Sequence, residues 1–210
     1  MITILKALVG SRAYGLETPD SDYDYIEVQL APTRKVLGIE YDKNVSIQSH
    51  EPFDTTYHEL GRFCALALKG NPTVNEVLWL PSHETLTKTG VELVELRHCF
   101  LSNEAVRAYK GYINNQLIRY ARVGKDDPKL LRHAARLSLQ LQSLLYWGTI
   151  TPALTDAQID FCRNADISTV RSLFEQVTSY ASRLNELPDY STINDWLLSV
   201  RISELTNQSV

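Results

Sequence analysis

The sequence predicts an α+β fold: a small mixed β-sheet core with helices over residues 1–100, followed by a helical subdomain over residues 101–210. Three observations carry this. Short β-prone runs broken by turn residues fill residues 1–56. From Tyr57 the apolar period becomes that of a helix, with Leu60, Phe63, Cys64, Ala67 and Leu68 on one stripe. After residue 100 the chain reads as successive helices, broken at Gly124 with Pro128, Gly148 with Pro152, and Pro188.

Taken in order, "ITILKALV" at 2–9 is short, apolar and partly β-branched, and it ends at Gly10: a strand running into a turn. "YIEVQLA" at 25–31 alternates Ile26, Val28 and Leu30 with more polar neighbours, giving a second strand. A strand or hairpin arm is expected near 44–48, and a short strand at 51–55. A helix should run from Tyr57 to the stop signal "KGNP" at 69–72, and a short one over 73–79. Asn71 or Thr73 is the expected cap of the latter, beside Pro72. The later helices are expected at about 102–123, 128–147, 155–163, 167–187 and 192–205.

Composition excludes several classes. A hydrophobic fraction of 44% with 22% charged residues describes an ordinary globular chain rather than a disordered one. No apolar run approaches the roughly 20 residues of a membrane span, and no basic-then-apolar leader is present. Cys64, Cys99 and Cys162 have neither zinc-ligand nor CxxC spacing and read as small hydrophobes in a reducing compartment. A cytoplasmic protein without a membrane partner is therefore expected. The net charge of −4 argues against a dedicated DNA coat. Yet "RYARVGKDDPKLLRHAAR" at 119–136 gathers Arg119, Arg122, Lys125, Lys129, Arg132, His133 and Arg136, a local field suited to a polyphosphate.

The chemistry concentrates in "GSRAYGLETPDSDYDY" at 10–25, where Asp20, Asp22 and Asp24 crowd together. In strand geometry Asp22 and Asp24 share a face. Two carboxylates held so repel each other unless a cation lies between them. A pair of magnesium ions, hard cations that accept carboxylate and phosphate oxygens, would answer this, with manganese as a substitute. A third carboxylate should come from a neighbouring strand: Asp54, with Glu51 as its competitor and Glu27 further away. Gly10 allows a tight turn close to a phosphate, and the Ser11 hydroxyl can donate to phosphate oxygens. Arg12 can fork onto a phosphate or brace the acidic loop. "TPDSD" is also good turn chemistry in its own right.

This stretch resembles the signature of the polymerase-beta-type nucleotidyltransferase superfamily, within it a group of small predicted nucleotidyltransferases of bacteria and phages. "FDTTYHELGRFCALALKGNPTVNEVLW" and "KLLRHAARLSLQLQSLLYWG" resemble further blocks of that group. The resemblance implies a nucleotidyltransferase core that moves a nucleoside monophosphate from an NTP to a hydroxyl and releases pyrophosphate. It implies phosphate binding by Gly10 and Ser11, metal binding by Asp22, Asp24 and Asp54, and activation of the attacking hydroxyl at Asp54. The superfamily's third acid commonly stands between apolar residues, whereas Asp54 is followed by Thr55 and Thr56. The acceptor is open among an RNA 3′ end, a small molecule and a protein side chain, with tRNA or another RNA favoured by the basic stretch at 119–136. A partner protein, as in antitoxin-like members, and a non-catalytic nucleotide-dependent binding module are the alternatives.

Lys129, His133 and Arg136 fall at i, i+4 and i+7, so they share one helix edge. That edge reads either as a solvated face or as a nucleotide-phosphate site, with His133 contributing best when protonated. His50 and His58 border Asp54 without an assigned role. Asn75 and Glu76 read as loop anchors or as pocket contacts, and Tyr14, Tyr23 and Tyr25 as packing residues or as stacking surfaces for a base.

Overall fold

The computed structural model describes residues 1–39, 46–50, 53–123 and 127–207. Five strands form one sheet in the order β3-β4-β2-β1-β5. β1 (Ile2–Val9) pairs antiparallel with β2 (Asp24–Leu30) and with the two-residue β5 (Thr85–Leu86). β2 pairs in parallel with β4 (Asp54–Glu59), and β3 (Ser46–Ser49) closes the far edge antiparallel to β4. The sheet is therefore mixed, as the sequence implied.

Registers fix which side chains face the core. Leu5 lies opposite Val28, Ala7 opposite Ile26 and Val9 opposite Asp24, so the apolar row of one sheet face ends in a carboxylate. Leu5, Ala7, Ile26 and Val28 are fully or almost fully buried. Against this face pack α3 (Leu60–Leu68), α4 (Pro72–Val77) and α5 (Lys88–Glu95), the last leading into a 3₁₀ turn at Leu96–Phe100.

The helical part contains α6 (Asn103–Val123), α7 (Pro128–Trp147), α8 (Asp156–Asn164) and α9 (Ile167–Thr178). Tyr109, Ile113, Leu137, Leu141, Leu144, Val170 and Val177 join them in a second core. Ala13 and Trp79 touch both cores. α10 (Tyr190–Asn207) returns to the first core through Ile193 and Val200. Its Arg201 pairs with Glu59 and donates to the Ala31 carbonyl at 3.0 Å. Among the described residues no helix is long and apolar enough to cross a membrane.

Four expectations change. Residues 57–59 are strand rather than helix, because β4 keeps parallel register with β2 from Asp54 as far as Glu59; Glu59 then caps α3 by accepting from the Gly61 N–H at 2.7 Å. α9 stops at Thr178, where the Thr178 and Ser179 hydroxyls donate back to the Glu175 and Gln176 carbonyls. β5, α5 and the 3₁₀ turn fill residues for which no element was expected. Asp22 lies in the loop before β2 rather than on it, since β1 ends at Val9 and the ladder has no partner beyond Asp24. Residues 44, 45, 51 and 52 of the expected strands, Glu51 among them, and Lys125 lie outside the described residues.

Candidate active site

β1 ends where Gly10 turns at φ +73°, a left-handed conformation that favours glycine. A Cβ on Gly10 would stand 2.3 Å from Asp24 Oδ2, so the bare backbone is what lets this carboxylate close on the turn. The helical turn α1 (Gly10–Ala13) follows. Arg12 then reaches forward: its Nε and Nη2 donate to the Ser21 carbonyl at 3.0 and 2.7 Å, and its guanidinium covers Tyr23 at 4.0 Å from the ring centroid. Arg12 therefore braces the acidic loop and does not line the cavity described next.

A cavity of about 740 Å³ opens over the turn. Val9, Gly10 and Ser11 form its floor, and Asp20, Asp22 and Asp24 stand on one side. Thr73 and Glu76 of α4, Gln116 and Arg119 of α6, and Lys129, Arg132, His133 and Arg136 of α7 complete its lining. An acidic loop and the cationic residues of α6 and α7 thus line one cavity. Burial first, then the charges of Asp54 and Asp22, raise the Asp24 carboxyl above its ordinary pKa, while Lys129 pulls it down. Asp54 is the parallel-register partner of Asp24. It does not line the cavity, and His50 Nδ1 donates to its Oδ1 at 2.6 Å.

Among the described residues no three His, Cys, Asp or Glu side chains converge as a ready-made metal cage. The donor set nonetheless fits magnesium, which binds through one or two carboxylates and substrate phosphates rather than an all-protein cage. The under-compensated charge at Asp24 is where such a cation would act.

α7 divides its three expected phosphate ligands by burial. Lys129 is exposed at the cavity wall. Arg136 is 3% exposed: its Nη1 donates to Glu76 Oε2 at 2.6 Å, and its guanidinium stacks 3.9 Å from the Tyr14 ring centroid. Glu76 also accepts from the Tyr14 hydroxyl and, at 3.1 Å, from Gln140 Nε2, and Tyr109 donates to Gln140. This buried network ties the residue after α1 to α4, α6 and α7. Burial works against the charge on Arg136, but Glu76 more than offsets it, so Arg136 remains cationic. The Gln116 side-chain oxygen in the same cavity lining is buried without a hydrogen-bond partner. Glu76 was visible in the sequence only as a pocket contact or loop anchor, and Gln116 had no local signal at all.

His133 reverses its expectation. Burial, and then the charge of Arg136, push its pKa down to about 3, so the ring is neutral near pH 7. Its Nδ1 lies 3.4 Å from Arg136 Nη2, a donor, which leaves the ring hydrogen on Nε2. A histidine neutral in the fold and free to protonate when unfolded withdraws stability as pH falls below about 6.5. His133→Gln should therefore lose less melting temperature than the unmodified chain between about pH 6.5 and 4. His58 and His98, also lowered by burial, act equally in both proteins. Parallel melting curves would remove His133 from the acid response.

Comparison with known proteins then decides the family. The model of RlaP, described as an RNA repair pathway DNA polymerase beta family, matches residues 2–168. The chain belongs to the RlaP family. It is thus a member of the polymerase-beta-like nucleotidyltransferase superfamily. The RlaP match runs from β1 through α8 and takes in the Gly-Ser turn, the acidic loop, β4 and the whole of α7. An uncharacterized 38.9 kDa protein in the nrdC-mobD intergenic region of Enterobacteria phage T4 is 25% identical over 132 residues. That alignment covers 57% of this chain but only 39% of the phage protein, so the chain spans about two-fifths of this relative's length.

Proposed function

We propose that the chain transfers a nucleoside monophosphate from an NTP to the hydroxyl of an RNA end, tRNA being one such acceptor, and releases pyrophosphate. The observation that carries this is that a Gly-Ser turn, an acidic loop and the cationic residues of α6 and α7 line one cavity. The family description, with its reference to RNA repair, supports RNA as the acceptor.

On this reading residues 1–100 supply the turn and the carboxylates, and residues 101–210 supply the cationic side chains of the cavity. Ser11 and the N–H groups of the turn hold phosphate oxygens; Lys129, with Arg119 and Arg132 beside it, neutralises the outer phosphates. Arg136 and neutral His133 act as oriented donors, Arg136 being fixed by Glu76. Gln116 offers its unpaired oxygen to a donor on the nucleotide or acceptor. Asp22, Asp24 and Asp54 would hold two magnesium ions, or manganese in their place, which when bound neutralise charge on the transferred group and lower the acceptor hydroxyl's pKa. The acceptor oxygen bonds to the α-phosphorus as the α–β phosphoanhydride bond breaks. Pyrophosphate carries away the electron pair, and the hydroxyl proton passes to solvent. Free Cys64, Cys99 and Cys162 suit a reducing cytoplasm.

The test is incubation with each α-labelled NTP and magnesium, alone and with total RNA or cell protein, followed by separation of the labelled species. Label in RNA is the expected result. Label in protein would replace the acceptor class, and nucleotide binding without transfer to any fraction would leave a binding module.

A further inference from the structure

Of the three tyrosines that the sequence offers as stacking surfaces, two are committed elsewhere. Tyr14 is buried with its hydroxyl on Glu76. Tyr25 is buried, and its hydroxyl, bonded to Glu84 and desolvated, is raised to about 12. Tyr23 is 44% exposed and has an equally exposed neighbour in Phe53. The Phe53 ring centroid lies 5.7 Å from that of Tyr23 and 5.6 Å from that of Tyr25. Arg12 covers Tyr23 at one end, and Lys6 covers Tyr25 at the other, 4.3 Å from its centroid. The run reads cation, three rings, cation.

Its place in the chain gives it a use. Tyr23 stands between Asp22 and Asp24, and Phe53 directly precedes Asp54, so the Cα of each exposed aromatic residue is one step of about 3.8 Å from the Cα of a candidate catalytic aspartate. Neither ring lines the cavity that faces α7. Tyr25 alternates with Asp24 along β2, so the rings gathered at Tyr25 lie on the sheet face away from Asp24. An acceptor strand on this face comes to the carboxylates around the starting edge of β2 and β4, apart from the cationic cavity.

We infer that, in the reaction proposed above, Tyr23 and Phe53 form the stacking platform for a base at the 3′ end of a single-stranded RNA acceptor. A strand laid over the starting edge of β2 and β4 rests one base on the rings and brings the terminal ribose to Asp54. Aromatic faces accept any base, at roughly 1–3 kcal/mol for each base stacked. Lys6 is paired with Glu27 and Glu84, and Arg12 donates to the Ser21 carbonyl, so both flanking cations are engaged within the protein and stacking rather than phosphate pairing is the source of affinity here. The platform's contribution is accordingly insensitive to salt, unlike that of the cationic cavity.

The experiment measures binding of a 5′-labelled RNA hexamer to the full chain by fluorescence anisotropy, with magnesium and without NTP, over a salt series. Tyr23→Ala with Phe53→Ala should weaken binding roughly ten- to a hundred-fold at every salt concentration. Tyr23→Phe with Phe53→Tyr keeps both rings and should bind within about two-fold of the unmodified chain, which separates stacking from a folding defect. A hexamer abasic at its 3′-terminal positions should bind weakly and respond little to the alanine changes. Unchanged binding of intact RNA by the alanine variant, an equal loss for abasic RNA, or no hexamer binding by the unmodified chain each overturns the platform. Ring-dependent binding in a chain that transfers no nucleotide would keep the platform and overturn the proposed reaction; transfer to RNA without ring dependence would do the reverse.

Discussion

Asp54→Asn is expected to leave NTP binding near the unmodified level and to slow nucleotide transfer by on the order of 10²- to 10³-fold. Asp24→Asn is expected to weaken both. The two residues are in-register neighbours, yet only Asp24 lines the cavity and packs on the Gly10 backbone. Binding of a non-hydrolysable NTP and single-turnover transfer, measured separately, distinguish the two effects. A melting experiment adds an independent sign. Asp24 holds its proton more tightly folded than unfolded, because of burial and the charges of Asp54 and Asp22. Its ionised form therefore subtracts from stability as pH rises through the folded pKa. Without divalent cations Asp24→Asn should melt at or above the unmodified chain near pH 7, and magnesium should stabilise the unmodified chain more than the variant. Identical transfer rates for all three proteins would end the carboxylate mechanism.

Glu76→Ala should cost about 3–5 kcal/mol, a fall in melting temperature of roughly 6–20 °C. It strands a buried guanidinium and removes the acceptor of Tyr14 and Gln140. Arg136→Met should cost a similar amount by leaving the Glu76 carboxylate buried without its cation. Combining Glu76→Leu with Arg136→Met removes both charges and should recover most of the loss, since the penalty lies in an unpaired charge rather than in a missing attraction. A double variant that melts no higher than either single variant would show that the cost comes from packing. Should the rescued double variant still bind NTP poorly, Arg136 touches phosphate as well as Glu76.

What the sequence made legible was local. β1, α6 and α7 appear where hydrophobic period and Gly or Pro punctuation placed them. β2 starts one residue early because Asp24 pairs with Val9. β4 was cut short because its last three residues read equally well as the opening of a helix, and only the parallel ladder to β2 decides between them. The Gly-Ser turn and acidic loop were legible because their parts lie within one short stretch. The Glu76–Arg136 pair was not: its members stand 60 positions apart, and neither carries a pattern that names the other. The protonation of His133 was not legible for the same reason, since burial and then a neighbour's charge, rather than its helical register, set it.

The return of α10 has a consequence for synthesis on the ribosome. Glu59 and Arg201, which close the first core between α3 and α10, are separated by 142 positions. At about 5–20 residues per second, the sheet waits roughly 7–30 s after Glu59 is made before its arginine exists. During that interval α6–α9 emerge and have most of their second core available within their own sequence. The nascent sheet half must meanwhile keep Leu60, Phe63 and Val28 from other chains without the helix that later carries Ile193 and Val200 against them. A stalled or truncated product lacking α10 would therefore be a client for chaperones through its sheet half, while its helical half could already be folded.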